Sequence, residues 1–202
     1  MPMQDPEHPK MPSRFAALEA VRTLIAYIGD DPDRPGLRDT PSRVLKAWEQ
    51  DWGKGYVELT PDELLRMFEI EDIIQNNAPG QMVVVKDIIL HSTCEHHMAP
   101  FFGLAHIAYI PDKGVVGLSK LARVVEYFSR KLQVQERISE QVAGFLSEHL
   151  SADVGVLIEA KHMCMCSRGV RQSDSNTITS ALRGDFYTSK ETRSEFLRLI
   201  GK

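Results

Sequence analysis

The residues best suited to chemistry lie in one short segment, His91–Met98, which has the sequence HSTCEHHM. It holds one of the three cysteines and three of the seven histidines in a chain of 202 residues. Cys94 and His97 are three positions apart, so a tight turn or a helical start would bring a sulfur and an imidazole nitrogen to one ion, as Zn²⁺ prefers. The neighbouring His96 projects differently, and a third ligand must come from elsewhere. The alternative is a polar loop whose cysteine is merely buried.

The other two thiols lie in a second segment, HMCMC, which closes a predicted strand from Gly155 to Cys166. Side chains alternate along a strand, so His162, Cys164 and Cys166 would share one face at intervals of about 6 to 7 Å. Zn–S bonds of about 2.3 Å limit the sulfur separation to about 4 Å, so both thiols cannot readily bind one ion. The spacing predicts one of the two as a ligand and leaves the choice open.

Three protein ligands indicate a catalytic metal site. A structural zinc site closes all four positions, usually with paired Cys-x-x-Cys or His-x-x-x-His units, and the sequence contains neither. An open fourth position admits a water whose pKa falls to about 7. His96 and His162 would then flank the ion and move protons.

Apolar periodicity predicts the elements that position these groups. The core is expected to be ββααββ, an antiparallel sheet with two helices on one face, in the α+β class, behind an N-terminal helical arm. Residues 1–12 are assigned to a disordered lead-in, 13–75 to the arm and 76–202 to the catalytic domain. The predicted helices begin near Phe15, Thr40, Thr60, Ser119, Gln135 and Lys190, with N-caps at both Thr-Pro pairs and the third helix reaching Phe68. The predicted strands are 82–90, 104–110, 155–166 and 177–180.

Composition limits the class of partner. With 43% hydrophobic residues the chain can bury one sizeable core, and it shows neither a signal peptide nor an apolar run of about 18 residues. We therefore expect a cytoplasmic protein with no membrane contact, whose odd number of cysteines stay reduced. The net charge of −4 argues against nucleic acid and requires a local basic cluster for any anionic ligand.

Five sequence blocks carry a resemblance to a known family. They are Thr40-Pro41-Ser42-Arg43-Val44, Cys94-Glu95-His96-His97, Gly117-Leu118-Ser119-Lys120, Gln135-Glu136-Arg137, and His162-Met163-Cys164 with Arg168-Gly169-Val170. In order and spacing, over about residues 38 to 200, they resemble GTP cyclohydrolase I. The resemblance implies the tunnelling fold, a toroidal homodecamer with active sites at subunit interfaces, and conversion of GTP and water to 7,8-dihydroneopterin triphosphate and formate.

The resemblance also implies roles for the residues that could do chemistry. Cys94, His97 and Cys164 match the family's zinc ligands, since the His-x-Cys spacing before Arg-Gly selects Cys164 over Cys166. His162 is similar to the family's proton donor to the ring nitrogen. His96 matches its second acid/base group, and Ser119 is expected to join these two.

The remaining matches concern the substrate. A triphosphate carries about four negative charges and favours several donors, which the resemblance assigns to Arg43, Lys120, Arg123 and Arg168. Glu136, with Gln135 beside it, is placed to accept the N1–H and N2–H₂ donors of guanine, and Glu95 is also expected to bind substrate. Taken singly, each basic residue is more typical of a solvated surface, Glu136 of a first helical turn, and Ser119 of an N-cap.

Two other functions compete with this interpretation. A nitrile-reducing enzyme of the same fold uses a cysteine nucleophile and a nicotinamide cofactor without zinc, which the Cys-Glu-His-His block and Cys164 disfavour. A zinc-stabilised nucleic-acid module needs a fourth ligand and a basic surface. The sequence leaves open the choice of folate or biopterin pathway, any effector, the role of residues 1–37, the role of Cys166 and the metal used in the cell.

Overall fold

The computed structural model describes residues 11–68, 81–112 and 114–202, which divide into two compact units between Val57 and Glu58. The predicted boundary between arm and domain, at residues 75 and 76, lies outside the described residues, as does most of the predicted lead-in. Residues 58–68 group with the second unit. In the described ranges, no helix is long and apolar enough to cross a membrane.

The first unit contains two α-helices, α1 (Arg14–Tyr27) and α2 (Thr40–Ala47), followed by a π-helical turn (Trp48–Trp52) and a 3₁₀ turn (Lys54–Tyr56). Ser13 caps α1 by accepting the Ala16 N–H at 3.1 Å. The N-cap of α2 is Asp39, so the prediction of Thr40 as the cap is wrong by one residue. The proline after Thr40 therefore occupies the second helical position, where its missing N–H is still tolerated.

The second unit begins with a helix much shorter than predicted. Helix α3 (Pro61–Leu64) starts with the expected cap, in which the Thr60 N–H donates to Glu63 Oε2 at 2.7 Å. The prediction that it runs to Phe68 is wrong, because the chain forms strand β1 (Met67–Phe68), which pairs antiparallel with β4 (Val115–Val116). A partner almost fifty positions away is invisible to local periodicity.

The main sheet contains β2 (Val83–Cys94), β3 (Pro100–Tyr109), β5 (Leu132–Gln133), β6 (Val154–His162) and β7 (Thr177–Leu182). Across the sheet these strands lie in the order β5-β2-β3-β6-β7. Its four long strands are antiparallel neighbours and confirm the predicted pairing, while the short β5 pairs parallel with the end of β2. A bulge interrupts the β2–β3 register between Val85 and Ile88 and contains Asp87 at φ 60°.

Helices α4 (Leu118–Ser129) and α5 (Gln135–His149) cover one face of this sheet, which confirms the predicted ββααββ core. The N-cap of α4 is Gly117, so Ser119 is the second helical residue and its alternative interpretation as an N-cap is wrong. Apolar side chains of both helices and the sheet form the main core, among them Leu90, Ile107, Leu121, Val125, Ile138 and Ile158.

The opposite face is partly covered by α7 (Asp185–Thr188) and the final helix α8 (Lys190–Ile200). Ala108 and Leu157 lie next to core residues in sequence but point the other way, because strand side chains alternate. They form a second, smaller cluster with Phe186, Phe196 and Ile200. The predicted final helix is thus confirmed, and it stabilises the far side of the sheet.

Candidate metal centre and active site

A tight turn at the end of β2 presents the first two candidate ligands. The Cys94 N–H donates to Ala99 O at 2.8 Å, and the Met98 N–H donates to Cys94 O at 2.8 Å. Met98 has φ 50°, which closes the turn in the left-handed region. The Glu95 N–H donates to Gln133 O at 3.0 Å and so attaches the turn to β5. The first half of the octapeptide, up to and including Cys94, belongs to strand β2, and the turn begins at Glu95.

The third thiol follows a strand that ends earlier than predicted. Strand β6 stops at His162, opposite Phe101, and residues 163–166 form α6 (Met163–Cys166), a single helical turn. The prediction of one shared strand face for His162, Cys164 and Cys166 is therefore wrong. On a helical turn, residues two apart do not face each other. The Cys166 thiol instead lies 3.5 Å from Gln172 O.

Cys94, His97 and Cys164 come together as one cluster. Their ligand atoms all lie within 4.8 Å of one another, with 4.0 Å between the two sulfurs and 3.8 Å from Cys94 Sγ to His97 Nδ1. Tetrahedral Zn–S bonds of about 2.3 Å give a sulfur separation of about 3.8 Å. The donor set and the spacing therefore fit a zinc ion with one further position.

Electrostatics around the two thiols favours a cation. Burial, and after it the adjacent Cys94, raises the pKa of the Cys164 thiol, while the charge of Arg168 acts in the opposite direction. Two thiolates side by side repel each other, and a divalent cation removes this conflict by replacing both protons. Arg168 is itself exposed, on the turn that follows α6.

His96 lies as close to Cys94 as His97 does. Its Nδ1 is 3.8 Å from Cys94 Sγ, and the two imidazole rings are 6.2 Å apart in an edge-on arrangement. His96 is exposed, and the cluster within 4.8 Å comprises His97 and not His96. His96 therefore lies beside the candidate metal ligands, and the proton-transfer role predicted for it stays a prediction.

His162 is held in place by two contacts. Its ring stacks on Phe101 with centroids 4.4 Å apart and planes 7° apart, and its Nε2 lies 2.9 Å from Gln135 Oε1. Burial lowers the pKa of His162, and the negative charge of Glu136 acts in the opposite direction. Phe101 is a residue that the sequence analysis missed, because an aromatic residue at the start of a strand carries no local signal of its role.

Gln135 begins α5 and is almost completely buried. Its Nε2 donates to Ile158 O at 3.0 Å and to Thr177 O at 3.0 Å. Its amide is thus occupied by contacts within the chain, and the predicted contact between Gln135 and substrate stays a prediction. Glu136, the next residue, is exposed and close enough to His162 to influence its pKa.

Glu95 forms a bidentate ion pair that the sequence analysis also missed. Arg137 Nη1 lies 2.5 Å from Glu95 Oε2, and Arg137 Nη2 lies 3.1 Å from Glu95 Oε1. These hydrogen bonds hold the pKa of Glu95 below its usual value. The sequence had singled out the block that contains Arg137, but it gave no indication that Arg137 pairs with Glu95. The predicted role of Glu95 toward substrate stays a prediction.

The predicted phosphate-binding residues lie in three places. Lys120 occupies the first turn of α4, and Arg123 follows one turn later, where it lines an open groove between α4 and β2. Ser119, predicted to assist catalysis, lies beside Lys120 in the same turn, and its role stays a prediction. Arg168 follows α6. Arg43 belongs to the first unit, where it is exposed and pairs with Asp39 at 3.2 Å. The structure brings Arg168 near Cys164, and all four phosphate-binding assignments stay predictions.

Comparisons with known proteins cover nearly the whole chain. Residues 17–201 match the family model described as GTP cyclohydrolase I. GTP cyclohydrolase 1 of Campylobacter lari is 49% identical over 183 residues, which are 90% of this chain and 93% of that protein. GTP cyclohydrolase 1 of Chlorobaculum tepidum is 50% identical over 184 residues, 91% of this chain and 79% of that protein. Among solved structures, the archaeosine synthase QueF-Like in the apo form has a TM-score of 0.42 and 13% identity, over 51% of this chain and 93% of its own.

Proposed function

Since the chain belongs to the GTP cyclohydrolase I family, we propose that it converts GTP and water to 7,8-dihydroneopterin 3'-triphosphate and formate with the help of a zinc ion. The observation that carries the proposal is the cluster of Cys94, His97 and Cys164, with His162 in the same part of the molecule. This product is the entry compound for tetrahydrofolate or tetrahydrobiopterin.

The thiolates and the histidine would contribute to metal binding in different ways. The two thiolates supply compensating negative charge, and His97 supplies a neutral nitrogen on a turn that the backbone closes independently. A bound zinc ion with a free fourth position would activate a water for attack on the purine C8 and on the formamide that follows. Cys94 is buried, which protects its sulfur from solvent.

The chain's own groups move protons and orient the base. His162 would protonate the ring nitrogen of the purine, and His96, beside Cys94, would act as the second acid/base group. Ser119 is proposed to assist them. The Glu136 carboxylate would accept two hydrogen bonds from guanine, a pattern that adenine cannot supply.

Positive side chains would bind the triphosphate. Arg168 lies near Cys164, and Lys120 and Arg123 are one turn apart near the N-terminus of α4, where the helix dipole also attracts anions. Arg43 is proposed as a further phosphate contact. Glu95 and Gln135 were expected among the substrate ligands, and both are bonded within the chain. A substrate contact is proposed for Glu95, and for Gln135 it is the alternative to a positioning role toward His162.

We further propose a cytoplasmic homodecamer with active sites at subunit interfaces. In support, one row across the outer face of the sheet exposes apolar side chains. Ile89 is paired with Leu104, Leu104 with Glu159 and Glu159 with Ile178, and the three apolar members are 71%, 39% and 56% exposed. An exposed apolar row of this kind is typical of a surface that another subunit covers.

Formate release from GTP tests the activity directly. Zinc-loaded protein should release formate from GTP and not from ATP. Glu136→Gln should lower turnover of GTP at least about tenfold while zinc is retained, because a lost charged hydrogen bond costs about 1.5 to 3 kcal/mol. Glu148→Gln, an exposed acid on the same helix, is the matched control and should be unaffected. Protein that keeps its zinc yet releases no formate would contradict the proposal.

A further inference from the structure

The side-chain amide of Gln135 can adopt only one orientation. Its Nε2 lies 3.0 Å from each of two backbone carbonyl oxygens, Ile158 O and Thr177 O, and 3.2 Å from Thr179 Oγ1. An amide nitrogen has two hydrogens to donate, and here each one has a carbonyl acceptor. Rotating the amide by 180° would place an oxygen against those two oxygens. The nitrogen must therefore face the carbonyls.

This orientation decides which nitrogen of His162 carries a hydrogen. The Gln135 Oε1 atom faces His162 Nε2 at 2.9 Å, and an amide oxygen can only accept. His162 Nε2 must therefore be the donor. Turning the ring over by 180° would keep its stack on Phe101 but place Cε1 instead of Nε2 opposite Gln135 Oε1, so the hydrogen bond would be lost.

We propose that Gln135 is a positioning residue that holds His162 in its Nε2–H form, so that Nδ1 is the nitrogen that exchanges a proton with the substrate. In the protonated ring both nitrogens carry hydrogen. On transfer, the Nδ1–H bond breaks and its electron pair stays on Nδ1, while the lone pair of the substrate nitrogen forms the new N–H bond. The ring becomes neutral with Nε2–H intact, and the substrate gains one proton and one positive charge.

The hydroxyl groups of Thr179 and Ser139 support the Gln135 side chain, since Thr179 Oγ1 lies 3.2 Å from Gln135 Nε2. Ser139 Oγ and Thr179 Oγ1 are 2.6 Å apart, and Ser139 Oγ also donates to Gln135 O at 3.2 Å. The side chain of Gln135 is thus bonded to β6 and β7, and its backbone carbonyl is bonded to Ser139 of its own helix. Such support restricts the freedom of the ring that Gln135 orients. Gln135 acts through His162, which differs from the direct substrate contact expected from the sequence.

The hydrogen position in the unmodified protein can be measured without any variant. Zinc-loaded protein labelled with ¹⁵N-histidine, studied at mildly alkaline pH by two-bond ¹H–¹⁵N correlation, distinguishes protonated from unprotonated ring nitrogens. We expect a single Nε2–H form for His162, with its Nε2 hydrogen protected from exchange with water. An Nδ1–H form, or a mixture of both forms, would overturn the proposal.

Three substitutions separate this role from a purely structural one. Gln135→Met removes the acceptor, so the Nδ1–H form of His162 should become detectable and kcat should fall at least about tenfold with KM changed less than about twofold. Gln135→Glu keeps an oxygen for Nε2–H, and its carboxyl must be protonated to donate to one of the two carbonyls, so it should preserve the Nε2–H form at a lower stability. Gln133→Met is the matched control for the form of the His162 ring, because Gln133 is equally buried but bonds to Phe128 O, Gln141 Oε1 and Arg137 Nη1.

The outcomes also separate this proposal from the proposed function on which its catalytic part rests. If Gln135→Met leaves the ring in a single, exchange-protected Nε2–H form, Gln135 does not position His162. If Gln133→Met disturbs the ring as much as Gln135→Met, the effect is general destabilisation and the proposal is wrong. If the unmodified protein shows the Nε2–H form but releases no formate from GTP, the proposed function fails while the assignment of the hydrogen stands.

Discussion

Cys164 and Cys166 are two positions apart and have different surroundings. Cys164 Sγ lies 4.0 Å from Cys94 Sγ, whereas Cys166 Sγ contacts the backbone oxygen of Gln172. Cys164→Ser should therefore give a folded protein that has lost most of its zinc and its activity, because a Cys-His pair alone binds the ion weakly. Cys166→Ser is the control and should keep both. Zinc content measured by mass spectrometry, together with formate release, checks the prediction.

His162→Ala extends this comparison. It should retain zinc and lose turnover by about 10²- to 10⁴-fold, the usual contribution of a proton-transfer group. Loss of zinc from Cys166→Ser, with retention by Cys164→Ser, would show that the wrong thiol has been assigned.

At this scale, sequence spacing predicted the association of Cys94 with His97, because a three-residue separation is local and a turn is enough to realise it. The choice between Cys164 and Cys166 could not be derived from spacing, since it depends on where β6 ends. The partners of Gln135, Glu95 and His162 come from other strands and helices. Long-range contacts of this kind leave no periodic signal.

Among the elements, β3 and β6 approach so closely at Gly103 that a side chain would not fit. An added Cβ there would lie 1.9 Å from Glu159 O and 2.6 Å from Ala160 Cα, both backbone atoms. Gly103→Ala should therefore lower the free energy of unfolding by at least about 1 to 3 kcal/mol, a typical cost of overpacking. Gly144→Ala, in α5, meets nothing within 4 Å and should instead stabilise by about 0.4 to 1 kcal/mol. Thermal unfolding of both variants checks the opposite signs.

The bulge in β2 depends on a buried histidine. The Asp87 N–H donates to His106 Nδ1 at 3.3 Å, and His106 is almost fully buried. Burial lowers the pKa of His106, against opposing contributions from Asp87 and Glu159, while Lys202 and Lys86 lower it further. The folded chain therefore binds fewer protons than the unfolded chain, whose histidine has a pKa of about 6.5, and stability falls as pH drops below that value.

Replacing His106 with a residue that cannot titrate tests this pH dependence. In His106→Asn, the amide oxygen can still accept the Asp87 N–H, so the urea midpoint should fall less between about pH 7.5 and about pH 5.5 than in the unmodified protein. His162 has a lowered pKa as well, so part of the pH dependence should remain. An unchanged pH dependence would mean that protonation of His106 does not destabilise the fold.

The positions at which strands and helices end were the features hardest to predict from the sequence. The segment HMCMC alternates as a strand would, yet it forms a helical turn because β3 begins at Pro100 and the β3–β6 pairing stops at Phe101 and His162. The helix after Thr60 similarly stops after one turn, since Met67–Phe68 pairs with Val115–Val116. The long amphipathic helices and the central strands were predictable because their burial follows a regular period.

At the scale of the whole molecule, the exposed apolar row formed by Ile89, Leu104 and Ile178 predicts a contact between subunits. Ile89→Glu would place a charge beside Leu104, which should weaken association if another subunit covers the row. We expect Ile89→Glu to shift the molar mass measured by light scattering toward smaller species. Ile89→Val keeps the surface apolar and should not change it. An unaltered mass for Ile89→Glu would show that this row lies outside the subunit contacts.

The two thiols of the candidate metal centre are 70 positions apart, yet strand pairing brings their segments side by side. Pairing of β2 with β3 and of β3 with β6 brings the ends of β2 and β6 together, so the entropy of closing that long loop is lost when the sheet forms. In small zinc-dependent domains, by contrast, the ion itself must close the loop, and much of its binding free energy goes into folding. A metal ion bound here would enter a preformed site, and the free energy of its coordination would appear as affinity.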